Sequence, residues 1–217
     1  MRRDALALAL TFAAASCGPS APADAPSAAP SWSAPPPGAV GASSGSPIER
    51  FFPLVDGHVY QYVTSGETGE QGVIVARVRR ASAQQGELWL PSGVKRFSYG
   101  PDGVALEGRA FVLREPLAVG ASWPGEHGGT ARVVAAPVSA EVPAGRFDGC
   151  VQILEERLGD RPVRYLSTFC PGVGLVSLEA SGGASYEKAE LKSYGPPVQI
   201  GPDGLSRDIV APPPTGQ

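Results

Sequence analysis

Residues able to do acid–base or metal chemistry are few in this chain. Its two histidines are His58, which follows Asp56-Gly57, and His127, which follows Glu126 in a Gly-rich stretch. Each could be half of an acid–base pair, but no activated nucleophile stands at motif spacing from either of them. A zinc site would need more tightly spaced ligands. We therefore interpret both as ordinary loop histidines and expect no metal site.

Two further patterns match catalytic motifs but lack the structural context that those motifs need. Gly41–Gly45 reads Gly-Ala-Ser-Ser-Gly, like a nucleophile elbow, yet it lies in a low-complexity stretch with no strand before it and no helix after it. Glu155 and Glu156 are adjacent carboxylates, but neighbours on a strand point to opposite faces. We expect no cofactor, and we predict that the chain is not an enzyme.

The first residues have the anatomy of an export signal. Met1-Arg2-Arg3 is positively charged, and the apolar run Ala5–Ala15 is too short to span a bilayer as a helix. The run ends in Ala14-Ala15-Ser16-Cys17, which resembles the bacterial lipobox, where small residues admit the peptidase and the Cys thiol takes a diacylglycerol. The pattern predicts a signal peptide over residues 1–16 and lipid, palmitate included, on Cys17.

Resemblance to lipoproteins of two-membraned bacteria also implies a destination. There, Gly18 after the lipidated cysteine, in place of Asp, implies sorting to the outer membrane. Residues 17–47 are dominated by Pro, Ala, Ser and Gly, too poor in apolar side chains to fold, and we interpret them as a disordered tether. Its reach is about 30 Å as a flexible coil and about 90 Å if extended.

Two more cysteines, Cys150 and Cys170, lie on segments that flank a turn near Asp160. Export places them in an oxidising compartment, and their spacing fits a disulfide across a hairpin. The spacing lacks the Cys-x-x-Cys form of a redox-active pair. In one register of this hairpin, the numbers of two residues that face each other add up to 320. This register places similar side chains, or side chains of opposite charge, opposite each other: Cys150 with Cys170, Gln152 with Thr168, Leu154 with Leu166, Glu156 with Arg164, and Val151 with Phe169.

The folding unit is predicted over residues 48–195, followed by a disordered Pro-rich tail over 196–217. Short β-branched and aromatic runs alternate with Gly, Pro and Asp, and no long helical stripe occurs, so we predict an all-β antiparallel meander that forms a curved sheet, sandwich or open barrel. The predicted strands are His58–Thr64, Val73–Arg79, Glu87–Leu90, Val94–Tyr99, Val104–Leu106, Arg109–Leu113, Thr130–Ala136, Val138–Val142, Cys150–Leu158, Val163–Phe169, Gly174–Glu179 and Tyr186–Tyr194.

Four motifs together resemble a family of uncharacterised bacterial envelope lipoproteins with a single β-rich domain. They are Phe52-Pro53-Leu54 with Gly57 and Tyr60, Pro116-Leu117 with Gly120 and Trp123, Pro143-Ala144-Gly145 with Phe147 and Cys150, and Pro171–Val176. The resemblance spans most of the predicted domain. It implies fold and location, and it implies no activity.

Net charge and aromatic content limit which functions the sequence favours. A net charge of −3 without clustered Lys and Arg excludes nucleic acid as a partner. Arg77 and Arg79 alternate with apolar residues, so we interpret them as the solvent-exposed face of a half-buried strand.

We predict a membrane-anchored binding or scaffolding module with envelope proteins as partners; its oligomeric state is left open. The alternative is a carrier of a lipid or other apolar molecule, whose hollow would be lined by Tyr60, Tyr62, Trp89, Phe97, Tyr99, Phe111 and Trp123.

Overall fold

The computed structural model describes residues 46–107, 110–159, 161–200 and 206–208. A short 3-10 helix, Pro47–Phe51, precedes a succession of β-strands. In chain order these are β1 (Val59–Gly66), β2 (Gln71–Ser82), β3 (Gln85–Leu90), β4 (Gly93–Gly100), β5 (Gly103–Leu106), β6 (Phe111–Arg114), β7 (Ser122–Pro124), β8 (Thr130–Val142), β9 (Gly145–Arg157), β10 (Val163–Cys170), β11 (Gly174–Gly182), β12 (Ser185–Gly195), β13 (Val198–Ile200) and β14 (Ser206–Asp208). Within these ranges, no helix is long and apolar enough to cross a membrane.

Twelve strands form one sheet in the order β6-β5-β4-β3-β2-β1-β12-β11-β10-β9-β8-β7. The halves β1–β6 and β7–β12 are antiparallel meanders of sequence neighbours, joined by the pairing of β1 with β12. The edge strands approach each other through a bridge between Phe111 and Gly125, and the indole N–H of Trp123 donates to the Phe111 carbonyl at 3.1 Å. The sheet is therefore nearly closed and barrel-like, which confirms the predicted all-β meander.

Strand β2 illustrates how alternation in the sequence sets the two faces of the sheet. Successive side chains of a strand point to opposite faces. Ala76 and Val78 are only 2% and 5% exposed, whereas Arg77 and Arg79 between and beyond them face solvent. The interpretation of these arginines as the wet face of a half-buried strand is confirmed.

Most predicted strands are present, with ends that differ by one to a few residues. The largest differences concern β7, β8 and β9. Two predicted strands on either side of Pro137 are one strand, β8, because its ladder with β9 shifts register around the proline and then continues. Strand β7 has only three residues, too few for a visible alternation. Strand β9 begins at Gly145, earlier than predicted, because Gly145, Arg146 and Phe147 pair with β8 despite their weak strand pattern. The predicted strand at Arg109 begins at Phe111, and residue 109 itself lies outside the described residues.

The core includes a segment that is not a strand. Residues 46–55, called here the N-terminal segment, bury Ile48, Phe51, Phe52 and Leu54. The Phe52 ring lies 5.0 Å from Phe97 of β4 and 6.0 Å from Phe169 of β10, between ring centroids. This segment therefore packs against both halves of the sheet.

The tail departs from its prediction over a short stretch. The segments β13 and β14 pair as a two-stranded antiparallel hairpin, with Val198 opposite Asp208 and Ile200 opposite Ser206. Composition does not predict this hairpin, because backbone pairing over three residues needs little apolar content. The rest of the predicted tail beyond residue 208, the signal peptide and almost all of the tether lie outside the described residues, and those boundaries stay predictions.

Candidate functional site

The two cysteines of the folded domain form a disulfide. The sulfurs of Cys150 and Cys170 are 2.03 Å apart and their Cα atoms 4.1 Å apart, and both residues are fully buried. Cys150 lies within β9 and Cys170 ends β10. The predicted disulfide is present.

The hairpin around this disulfide has the predicted register. Glu156 faces Arg164, Leu154 faces Leu166, Gln152 faces Thr168 and Val151 faces Phe169. The side chains interact as the pairing implies: the guanidinium of Arg164 donates to Glu156 at 2.8 Å, and the Gln152 amide donates to the Thr168 hydroxyl at 3.4 Å. Local pairing rules were sufficient here because both strands belong to one hairpin.

Cys17, the predicted lipidation site, lies outside the described residues, as does the Gly41–Gly45 motif. Both interpretations stay predictions.

A compact group of titratable side chains surrounds Glu155 on β9. Its carboxylate accepts the backbone N–H groups of His127 and Gly129, both at 2.8 Å, and lies 2.9 Å from Nδ1 of His127. The Glu155 residue is 5% exposed. The His127 ring stacks on Tyr165 of β10, with centroids 3.9 Å apart and an interplanar angle of 11°. We call Glu155, His127 and Tyr165 the His127 cluster.

The loop that carries His127 wraps closely around this carboxylate. A Cβ on Gly125 would collide with the Glu155 carboxylate, and one on Gly129 would lie 2.5 Å from the Glu156 carbonyl oxygen. Glycine at both positions thus permits the approach. Along the sequence His127 adjoins Glu126, and its contact with Glu155 was not predicted. The glycines flanking His127 were the available signal, since they indicate close approach of backbone to another group.

The contacts of the His127 cluster limit the chemical roles that its side chains can take. All three contacts to Glu155 come from the loop itself, so the carboxylate orients the imidazole and holds the loop. Nε2 of His127 lies 3.9 Å from Glu126, whose other oxygen is 3.9 Å from Nζ of Lys95 on β4. In the part of the chain that the structure describes, no three His, Cys, Asp or Glu side chains are placed to hold a metal ion.

The other candidate groups are placed apart from this cluster. His58 directly precedes β1, where its backbone N–H donates to Val55, and burial lowers the pKa of its imidazole. Glu155 and Glu156 serve different partners, since Glu155 holds the loop while Glu156 binds Arg164. The expectation that these adjacent carboxylates point apart is met.

The aromatic side chains proposed to line a hollow contact the protein itself. Tyr60 and Tyr62 donate their hydroxyls to the carbonyls of Val173 (3.1 Å) and Leu175 (3.0 Å), and Tyr99 donates to Phe52 at 2.9 Å. Phe97 and Trp123 are buried, and Tyr62, Tyr99 and Phe111 pack against the core. Trp89 differs, since it is 48% exposed on the outside of the sheet.

The N-terminal segment occupies the space beside these aromatics and is held there by polar contacts. Arg80 of β2 donates to Glu49 at 2.7 Å, and its guanidinium lies 3.7 Å from the Tyr99 ring centroid. The Gly172 N–H donates to the Arg50 carbonyl at 2.7 Å. A separate cavity of about 430 Å³ opens near the turn between β9 and β10, and its lining includes the charged residues Glu156, Arg157 and Arg164. The apolar side chains of Leu158, Pro162 and Val163 line it as well.

Comparison with known proteins finds distant likenesses among solved structures. No protein-family model matches the sequence, and no curated protein is detectably similar. One solved structure is provisionally described as an exported protein with a YmcC-like fold from Bacteroides fragilis NCTC 9343. It is 10% identical with a TM-score of 0.42, covering 65% of this chain and 96% of that one. Another, provisionally described as a lipoprotein from Parabacteroides distasonis ATCC 8503, is 14% identical with a TM-score of 0.43, covering 67% of this chain and 98% of that one. The fold assigned above rests on the strand pairing of this chain and not on these likenesses.

Proposed function

We propose that this chain is an exported envelope lipoprotein, anchored to the outer membrane through lipid on Cys17, whose β-rich domain works by binding or scaffolding and not by catalysis. The observation that carries the proposal is the disulfide between Cys150 and Cys170. The sequence has three cysteines, so Cys17 is the one left outside that bond. A buried disulfide suits an oxidising compartment, and Cys17 stands where the export signal ends.

A non-catalytic role is supported by the contacts of the buried carboxylate and of the aromatic side chains, which are made within the protein itself. The carboxylate of Glu155 is engaged by its own loop, and the aromatic interior is engaged by the N-terminal segment. The outer surface of the sheet is then the place for contacts with envelope proteins. Binding of an apolar molecule inside would require the N-terminal segment to move first, and a titration with a fluorescent fatty acid should therefore show no saturable binding.

Fatty-acid labelling in cells tests the anchor. Expressed with its own signal in a two-membraned bacterium, the chain should incorporate an alkyne-tagged palmitate analogue and sediment with outer-membrane markers. Cys17→Ser should abolish the label, whereas Cys150→Ala combined with Cys170→Ala, the matched control, should keep it. Labelling that survives Cys17→Ser, or no labelling of the natural chain, would disprove the anchor.

A further inference from the structure

The outer face of β1–β4 carries an apolar strip that nothing in the described structure covers. The strip consists of Val63, Val73, Val75, Trp89 and Val94. Val73 is 59% exposed, Trp89 48%, Val94 38% and Val75 37%. Val63 pairs with Val73, and Trp89 pairs with Val94, so these side chains share one face. Exposed apolar side chains gathered on one face in this way are typical of interaction sites.

Positive charge borders one end of the strip. Arg79, Glu87 and Arg96 lie side by side on β2, β3 and β4. Glu87 is 3.7 Å from Arg79 and 3.1 Å from Arg96, and it also accepts the indole N–H of Trp89 at 2.9 Å, which fixes the ring on the surface. Arg77, opposite Trp89, adds a third cation. Glu107, whose backbone N–H donates to the Arg96 carbonyl at 2.8 Å, adds a second carboxylate; three arginines outweigh the two glutamates, so this end is positive.

Negative charge borders the opposite end. The turn between β1 and β2 exposes Glu67 and Glu70, just beyond Val73. Arg79 lies nine positions after Glu70 along the chain, a span of about 30 Å in extended strand. The apolar strip therefore lies between a positive row and a negative turn.

From this arrangement we infer that the strip is an interface between two copies of this chain, packed face to face with their strands antiparallel. A two-fold axis that lies in the interface and crosses the strands turns each copy end for end. At each end of the interface, the positive row of Arg79 and Arg96 of one copy then lies opposite the Glu67–Glu70 turn of the other copy. The apolar side chains of both copies meet in the middle, between these two contacts. Such an isologous contact uses one surface on both copies.

The charge pattern favours a second copy over other occupants. A uniformly anionic surface, such as an acidic lipid bilayer, would attract the arginine row but be repelled by Glu67 and Glu70. A uniformly basic partner would be attracted by Glu67 and Glu70 but repelled by the arginine row. The strip is small for a permanent dimer, which commonly buries about 800 Å² per partner. Tethering both copies to one membrane, if the anchor proposed above exists, raises their effective concentration and favours a weak contact.

Charge reversal in two differently tagged full-length copies tests the inference. Both are co-expressed and cross-linked in intact cells, so that a weak contact is kept, and are then purified through one tag, in detergent if membrane-bound. The recovery of the second tag is measured. The natural pair should co-purify. A pair with Arg79→Glu and Arg96→Glu in both copies should not, and neither should a pair with Glu67→Arg and Glu70→Arg in both. Mixing one variant of each kind should restore recovery, because both contacts then join opposite charges.

Matched controls separate this interface from general damage. Arg132→Glu with Arg146→Glu reverses two exposed arginines elsewhere and should leave recovery unchanged. Trp89→Ala should lower the association constant at least about tenfold, whereas Tyr186→Ala, which truncates another exposed ring, should not. Failure of the natural copies to co-purify, or of the mixed pair to recover, would overturn the interface. Since the assay runs with or without lipid, its outcome is independent of the Cys17 labelling result.

Discussion

At the scale of single residues, Glu155 is a buried carboxylate that accepts N–H groups from His127 and Gly129. Truncating it leaves these donors without an acceptor inside the fold, and each unsatisfied buried donor is costly. Glu155→Ala should therefore lower the free energy of unfolding by about 3 kcal/mol, measured by urea denaturation.

The adjacent residue supplies a matched control for that substitution. The side chain of Glu156 is 37% exposed and pairs with Arg164, itself 65% exposed. Exposed ion pairs contribute little, so Glu156→Ala should cost less than about 1 kcal/mol. Equal losses for the two variants would contradict a holding role for Glu155.

Buried phenols make the stability depend on alkaline pH. Burial raises the pKa of Tyr60 and of Tyr99 well above the ordinary value of 10.0. Such a group keeps its proton in the folded chain over a pH range in which the unfolded chain loses it. Its contribution is therefore complete below the unfolded pKa and is lost as pH rises through the folded value.

We expect the free energy of unfolding of the natural protein to fall steadily as pH rises from about 10 to about 12. Tyr60→Phe with Tyr99→Phe should cost about 2 kcal/mol at neutral pH through two lost hydrogen bonds, yet flatten the alkaline decline. Urea denaturation at stepped pH measures both effects. A decline equally steep in the variant would show that other groups cause it.

At the scale of elements, the disulfide closes the hairpin of β9 and β10 across a sequence separation of 20. A cross-link of this length restricts the unfolded chain, and replacing it with Cys150→Ala and Cys170→Ala should lower the free energy of unfolding by about 3 kcal/mol. Equilibrium urea denaturation of the variant and the natural protein measures the loss. Identical midpoints would contradict it; natural protein measured with and without reductant serves as the control.

The same hairpin shows what the sequence could predict and what it could not. The pairing of Glu156 with Arg164 follows from local spacing, because one turn fixes the register of both strands. The contact of His127 with Glu155 joins a loop to a different strand, and no periodicity encodes it. Two separate strands were predicted on either side of Pro137, but β9 pairs with both sides of it in one ladder.

At the scale of the whole molecule, the two halves of the sheet depend on more than the ladder between β1 and β12. The edge strands meet through Phe111 and its contacts with Gly125 and Trp123. Inside, Phe52 contacts Phe97 from one half and Phe169 from the other. A motif containing Phe52 is visible in the sequence, but its partners are far along the chain, so its role needed the structure.

If Phe52 couples the halves, removing its ring should loosen both of them. Phe52→Ala should lower the free energy of unfolding by about 3 to 5 kcal/mol and speed hydrogen exchange in β4 and in β10, measured by mass spectrometry of peptides. Leu54→Ala is the matched control, because Leu54 packs beside Gly86 of β3, in one half. It should speed exchange around β3 and β4 while β10 stays protected. Exchange in Phe52→Ala that quickens in one half alone would mean that the halves are held together by their strand ladder and seam, without the N-terminal segment.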